Sequence, residues 1–383
     1  MSRLIFLNRR YCPGEAWTNR ILAYAKGFAE AGEEVVLYYI ITDKKRTTPR
    51  FNIPRVKVVN LWESDGPLAR RFKAISFLKN LLRFPRMVKK GDRIIVYGGY
   101  EYQLRMALKV KVKAKVFCEI TEHPQVFGSS KSAKRTNERK IKMLKLLDGL
   151  FVISNTLKQY YISQGIPEES IHVINMFVDT NRFKGLMKKP TDKYIGYCGA
   201  VSYDKDGVDC LIKAFAVFYK SHPDYKLKIF GRGLTDNVIP KLKQLATTLS
   251  VTDSVVFTGQ VAPEQMPQLL FDAAILALAR PDSIQAQNGF PTKLGEYLAT
   301  GNPVVVTSVG EIPSFLTDGV NAFLAKPGDP EDFANRLCWV ADNYERAKEI
   351  GQQGRILSND AFNYSVQSKE ALKYIDNKLA DLS

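Results

Sequence analysis

NGFPTKLGEYLATGNPVVV, residues 288–306, reads as a turn, a short helix and then an apolar strand. Pro291 suits the first turn of a helix, where exposed backbone N–H groups form an anion site that Gly289 leaves open to close approach. Working outward, the same grammar recurs: KYIGYCG and a helix over 207–221, KLKIFG and a helix over 237–249, SVVFTG and a helix over 264–272, AILALA, the helix 292–300, then PVVVTS. Most of these strands end in Gly or a small residue that turns into a helix, which is where open α/β sheets place ligands. The first half follows suit. LIFLN is followed by a turn at Pro13 and Gly14 and a helix from Ala16 to Ala31. EVVLYYII, RVKVVNL, RIIVYG, AKVFCEI and GLFVIS continue the series. Strands alternating with helices imply a mostly parallel sheet covered on both faces. The expected fold is α/β: two doubly wound, Rossmann-like domains facing each other across a cleft. Their expected limits are 1–185 and 186–362, with a C-terminal helix over 363–383 packing back on the first domain.

Length and composition agree with this division. A chain of 383 residues exceeds what one hydrophobic core usually serves. With 45% apolar and 25% charged residues it excludes disordered and low-complexity classes. The longest apolar run, AAILALA at 273–279, is too short to span a bilayer, and MSRLIFLNRR does not read as a secretory leader, so a cytoplasmic location is expected. Five scattered cysteines suit neither a disulfide framework nor a close-spaced metal site. The charge is uneven: residues 1–190 carry 37 Lys and Arg against 16 Asp and Glu, whereas residues 191–383 carry 19 against 23. A basic half points to an anionic partner: a membrane surface, a phosphorylated substrate or nucleic acid.

Residues 288–306 resemble the signature of glycosyltransferase family 4, retaining enzymes of the GT-B fold, in which two glutamates with seven residues between them precede a Gly-x-Pro-Val-Val strand. Glu296 falls on the second glutamate, and Asn288 stands in place of the first. The resemblance implies that Glu296 accepts hydrogen bonds from ribose hydroxyls, that Asn288 meets the donor sugar, and that Gly289, Phe290, Pro291 and Thr292 cradle the diphosphate. GAVSYDKDGVDCLIKAF, at 199–215, resembles the stretch that sets an Arg and a Lys on that diphosphate; Lys205 matches the Lys and Ala200 stands at the Arg. A single ammonium is a less directional clamp than a guanidinium plus an ammonium, and Arg232 in the Gly231-Arg232-Gly233 turn is the candidate to assist it. Thr258, Gly259, Gln260 and Val261 resemble the loop that reads the nucleobase through its backbone. In the first half Gly14 matches the Gly-rich loop after strand one, and His123 falls where the family presents a His to the donor sugar. Ser154, Asn175, Val178 and Asp179 read as architectural. Asp204-Lys205-Asp206 superficially matches an Asp-x-Asp metal motif but reads as a solvated turn.

The resemblance implies a metal-independent, retaining transfer of a sugar from a nucleotide diphosphate sugar, with no cofactor. The expected acceptor is a glycan, in particular a polyprenyl-diphosphate-linked one, in cell-surface polysaccharide synthesis. Rival readings are a nucleotide-sugar epimerase, a non-catalytic GT-B scaffold and a nucleic-acid binder using the basic half, although no nucleic-acid motif is present. Two basic segments, LARRFKAISFLKNLLRFPRMVKKG at 68–91 and KSAKRTNERKIKMLK at 131–145, lead to the expectation of peripheral binding to an anionic membrane, at the inner face of the cell membrane.

Overall fold

The computed structural model describes residues 2–12, 15–41, 53–60, 82–128, 130–189, 193–203 and 205–380. Gly14, Asp204 and most of the basic segment 68–91 therefore lie outside the described residues. The chain divides into two compact units, Met1–Asn175 with Tyr364–Ser383, and Met176–Asn363.

The first unit holds a seven-stranded parallel sheet: β1 (Arg3–Arg10), β2 (Glu34–Ile41), β3 (Val56–Asn60), β4 (Arg93–Tyr97), β5 (Lys115–Ile120), β6 (Gly149–Val152) and β7 (Ile171–Val173), in the order β3-β2-β1-β4-β5-β6-β7. Its central strands are buried apolar runs because helices cover both faces: Leu4, Ile5, Phe6 and Leu7 are all fully buried. Helix Ala16–Glu30 packs Tyr24 and Phe28 on Phe6, with ring centroids 5.6 and 5.9 Å from the Phe6 ring. The second unit holds six parallel strands: β8 (Tyr194–Cys198), β9 (Lys226–Phe230), β10 (Val255–Gly259), β11 (Ile275–Leu278), β12 (Val304–Thr307) and β13 (Phe323–Ala325), in the order β10-β9-β8-β11-β12-β13. In both sheets the winding reverses beside the first strand, between β1 and β4 and between β8 and β11, and a crevice opens at such a point beyond the strands' carboxyl ends. Two strands escape the sequence pattern, β7 and β13. Each has three residues, too few to establish a period.

The division of the chain differs from the expected one at residues 176–185, which belong to the second unit. Val178 N donates to Phe362 O at 2.8 Å, and Met176 and Val178 pack where Gly295 has no Cβ; any side chain there would collide with both. The C-terminal helix, Tyr364–Ala380, belongs to the first unit. It lies against helix Ala16–Glu30 at Gly27, where a Cβ would come 2.6 Å from Ser368 Cβ and 3.0 Å from Tyr364 O. Tyr364 Oη donates to the Glu30 carboxylate at 2.9 Å, and Lys26 sits 4.6 Å from the Tyr364 ring centroid. Because neither helix can retreat without uncovering the sheet, Gly27→Ala is expected to destabilise the first unit by about 1–3 kcal/mol. Urea unfolding followed by the near-UV signal of its tyrosines checks this, and an unchanged midpoint would refute the close approach.

Candidate functional site

In the second unit the carboxyl end of β8 is held by three contacts. Cys198 N donates to Tyr297 Oη at 2.6 Å, Gly199 N to Phe230 O at 2.9 Å, and Val201 N to Arg232 O at 2.9 Å. The two turns are thereby tied side by side, 199–201 against 231–233. Gly231 has φ +150°, and any side chain on it would strike Gly199 O, so glycine is required there. This juxtaposition sets the exposed Arg232 beside Ala200. Lys205 follows in the same loop, half-buried, with its carbonyl accepting from Arg280 Nε at 3.4 Å. Asp206 corrects the reading of a solvated turn. Its carboxylate is 2% exposed, pairs with Lys293 Nζ and accepts from Tyr197 Oη at 2.9 Å. Burial opposes its charge, but the Lys293 ammonium and its hydrogen bond, with Arg280 nearby, hold its pKa below the ordinary carboxylate value.

Beyond β11, residues 288–296 wrap the other side of the switch point. Asn288 ends the short helix Ile284–Asn288, its Nδ2 donating to Ile284 O at 2.8 Å. Gly289 has φ −110°, an extended conformation open to any residue, but a Cβ would come 2.9 Å from Gln285 O. The Phe290 side chain is not available to a ligand. It is buried against Phe315 and Phe362, with ring centroids at 5.3 and 5.6 Å, because this aromatic cluster closes the core beneath the turn. Only its backbone can serve in a cradle. Pro291 stands one residue before the first helical turn rather than in it, and Thr292 is the first residue of helix Thr292–Thr300. No side chain caps this end. Its N–H groups and positive dipole end are suited to an anion.

Glu296 is half-buried and paired. Its Oε1 accepts from Arg182 Nη1, and Arg182 Nη2 donates to Pro263 O at 2.8 Å, so one guanidinium links the carboxylate to the segment just beyond Thr258, Gly259, Gln260 and Val261. Burial raises the Glu296 pKa; Arg182 works against that rise, and Asp179 adds to it. The sequence reading missed Arg182, and Lys293 as well. The signal for Lys293 was present, a lysine at the start of a helix that otherwise reads as apolar, but nothing in the spacing said that it turns inward.

In the first unit His123 precedes the single turn Pro124–Phe127 and is 7% exposed. Its Nδ1 accepts from Gln125 N at 3.3 Å and its ring lies edge-on to Tyr160 at 4.4 Å. Burial lowers its pKa, so the ring is neutral at pH 7 with its proton on Nε2, a donor suited to a hydroxyl. At the end of β5, Glu119 is wholly buried. It accepts from Arg20 Nε at 2.8 Å and Tyr24 Oη at 2.9 Å, while Arg20 also donates to Asn175 O at 2.8 Å and Ile174 O at 2.7 Å. A carboxylate inside the otherwise apolar VFCEI was a legible signal of a buried partner. The architectural readings fit their observed contacts: Ser154 Oγ accepts from Leu157 N at 3.0 Å, Asn175 Nδ2 donates to Ile153 O at 3.1 Å, and Asp179 caps the turn Thr180–Phe183.

Two parallel sheets of this doubly wound order are those of the GT-B class of glycosyltransferase folds. Family comparison is specific: the family described as Glycosyltransferase Family 4 matches residues 18–182, and Glycosyl transferases group 1 matches residues 192–343. The chain belongs to glycosyltransferase family 4. Mannosylfructose-phosphate synthase of Agrobacterium fabrum is 27% identical over 228 residues, 56% of this chain and 49% of that protein. D-inositol 3-phosphate glycosyltransferase of Streptomyces griseus subsp. griseus is 30% identical over 152 residues, 37% of this chain and 30% of the other. The chain thus spans half or less of these relatives' lengths. Among solved structures, Anabaena Alr3699/HepE in complex with UDP superposes with a TM-score of 0.75 at 18% identity, covering 98% of this chain and 100% of that one.

A carboxyl with a raised pKa weakens the fold as pH climbs above its ordinary 4.5, and Arg182 limits that cost. Arg182→Met is therefore expected to cost about 1–3 kcal/mol at pH 7 and progressively less toward pH 4, where Glu296 is protonated. Urea unfolding at the two pH values measures this; equal losses at both would show that the pair does not matter.

Proposed function

We propose that the protein is a metal-independent, retaining glycosyltransferase that moves a sugar from a nucleotide diphosphate sugar to an acceptor glycan, carried on a polyprenyl diphosphate in cell-surface polysaccharide synthesis. The observation that carries this reading is the convergence, at the switch point between β8 and β11, of the Lys205 loop with the uncapped start of helix Thr292–Thr300. An ammonium and a helix N-terminus together favour the charge that grows on a departing diphosphate. Glu296, further along the same helix, offers its carboxylate to ribose hydroxyls, with Arg182 aligning it. Family membership and the UDP bound by the superposing HepE structure support a nucleotide donor.

Asn288 is a poor nucleophile, so the transfer is read as retaining without a covalent glycosyl-enzyme. The donor phosphate takes the acceptor's proton on the face from which it leaves. Neutral His123 donates from Nε2 to a sugar hydroxyl. Calorimetry and slow-hydrolysis assays over a panel of nucleotide sugars identify the donor without knowledge of the acceptor. Glu296→Ala is expected to weaken donor binding by roughly 1.5–3 kcal/mol. Lys205→Ala is expected to lower turnover more than affinity, since only contacts that strengthen in the transition state accelerate the step. A chain that binds no nucleotide sugar would overturn the reading.

Helix Lys131–Leu144 supports peripheral attachment to an anionic membrane. Lys131, Lys134, Arg135, Arg139 and Lys142 are exposed, and Lys145 follows just beyond its end, against a single acidic residue, Glu138. Each cation near an anionic leaflet contributes about 1 kcal/mol, screened by salt. Replacing Lys134, Arg135 and Arg139 with Ser is expected to reduce low-salt sedimentation with phosphatidylglycerol vesicles while leaving donor hydrolysis intact. Failure of the wild type to sediment would sink the membrane role. Among the described residues, no helix is long and apolar enough to cross a membrane.

A further inference from the structure

Lys293 is a buried cation that the proposed reaction scheme leaves unused. It occupies the first turn of helix Thr292–Thr300, yet its side chain turns inward and is only 14% exposed. Its Nζ meets the Asp206 carboxylate at 2.5 Å and donates to Tyr197 Oη at 3.2 Å. Tyr197 Oη in turn lies 2.9 Å from both Asp206 Oδ2 and the carbonyl oxygen of Ala200. Gly199, with φ +144°, passes directly over the ammonium, and any side chain on it would collide with Nζ.

These contacts join the two ends of one loop. Tyr197, Gly199 and Ala200 begin it, Asp206 ends it, and between them lies Lys205. Lys293 touches both ends from outside the loop, and it does so from the same helix whose Tyr297 accepts from Cys198 N at 2.6 Å. Holding a loop of this length in one shape costs backbone entropy for every residue fixed. A charged bridge that is desolvated and fully paired is an expensive way to stabilise a fold but an effective way to specify one geometry.

We propose that Lys293 is a positioning residue for the donor diphosphate: by bridging Asp206 to the Tyr197–Ala200 turn it holds residues 199–203 and Lys205 in the arrangement that presents Lys205 and the N–H groups of that turn to the phosphates. This rests on the donor-site reading of the second unit. It explains how the loop functions with Ala200 at the place where the resemblance implies an arginine. Preorganisation supplies what a second flexible cation would otherwise contribute, because a positioned donor does not have to reorganise as charge develops.

The test compares UDP and GDP with their uncharged nucleosides, uridine and guanosine, by calorimetry, and measures turnover of whichever nucleotide sugar the wild type hydrolyses. In Lys293→Met, diphosphate affinity is expected to fall about tenfold and turnover at saturating donor by roughly tenfold to a hundredfold, with nucleoside affinity unchanged. Because Lys293→Met strands the buried Asp206 charge, the paired variant Lys293→Met/Asp206→Asn removes both charges and is expected to fold with the same loss of diphosphate affinity. Unchanged diphosphate affinity and turnover in a folded variant would overturn the positioning role. So would equal losses for nucleoside and diphosphate, which would mark a general collapse of the site. Wild-type protein that binds neither nucleoside diphosphate would instead overturn the donor-site reading on which this role rests.

Discussion

Parallel strands cannot be joined by tight turns, so each connection must cross the sheet's face and return, and a helix is the element that does this while satisfying its own backbone. Every strand then ends at the same edge. In a doubly wound sheet the crossovers leave the first strand toward opposite faces, and the loops beside it part. That constraint places the Gly199–Lys205 loop after β8 next to residues 280–291 after β11, and it does so without reference to chemistry. Whatever the protein binds at this edge is met by backbone N–H groups, helix N-termini and the few side chains those loops carry.

Several charged side chains near these edges are paired with one another. Arg20 with Glu119 and Lys293 with Asp206 are withdrawn from water, Arg182 with Glu296 is half-buried, and each pair spans segments distant in sequence. Such pairs contribute little net stability, since desolvation offsets most of the attraction, but breaking one leaves a charge that the interior cannot solvate. They therefore act as alignment constraints. Arg20 fixes the carbonyls of Ile174 and Asn175, where the chain leaves the first unit; Arg182 fixes the carboxylate of Glu296 against Pro263; Lys293 fixes a loop. Glycines do the complementary work. Gly27, Gly231 and Gly295 stand where two backbones or a backbone and a packed side chain approach too closely for a Cβ.

Most of the fold was legible. The helix 292–300 was read to the residue, and the strands from KYIGYCG to PVVVTS lie where their apolar residues put them, because the central strands of a sheet covered on both faces are nearly continuous apolar runs. The site was legible in its positions more than in its roles. Lys205 and Arg232 lie in the turns after β8 and β9, and Asn288 and Glu296 in the segment after β11, but Phe290 turned out to be core, and Asp206, read as a surface acid, is buried.

The division has a physical cause. Periodicity, turn residues and apolar runs are properties of neighbouring residues, so the sequence alone determined the α/β class and the order of all but the shortest strands. Which charge meets which is a property of chain segments brought together only by the finished fold. Arg182 and Glu296 are 114 residues apart, Lys293 and Asp206 87, Arg20 and Glu119 99. No local pattern records those distances. Tertiary packing alone decided that Lys293 faces inward, that Glu296 is held by a guanidinium, and that the chain passes to the second unit at Met176 rather than ten residues later.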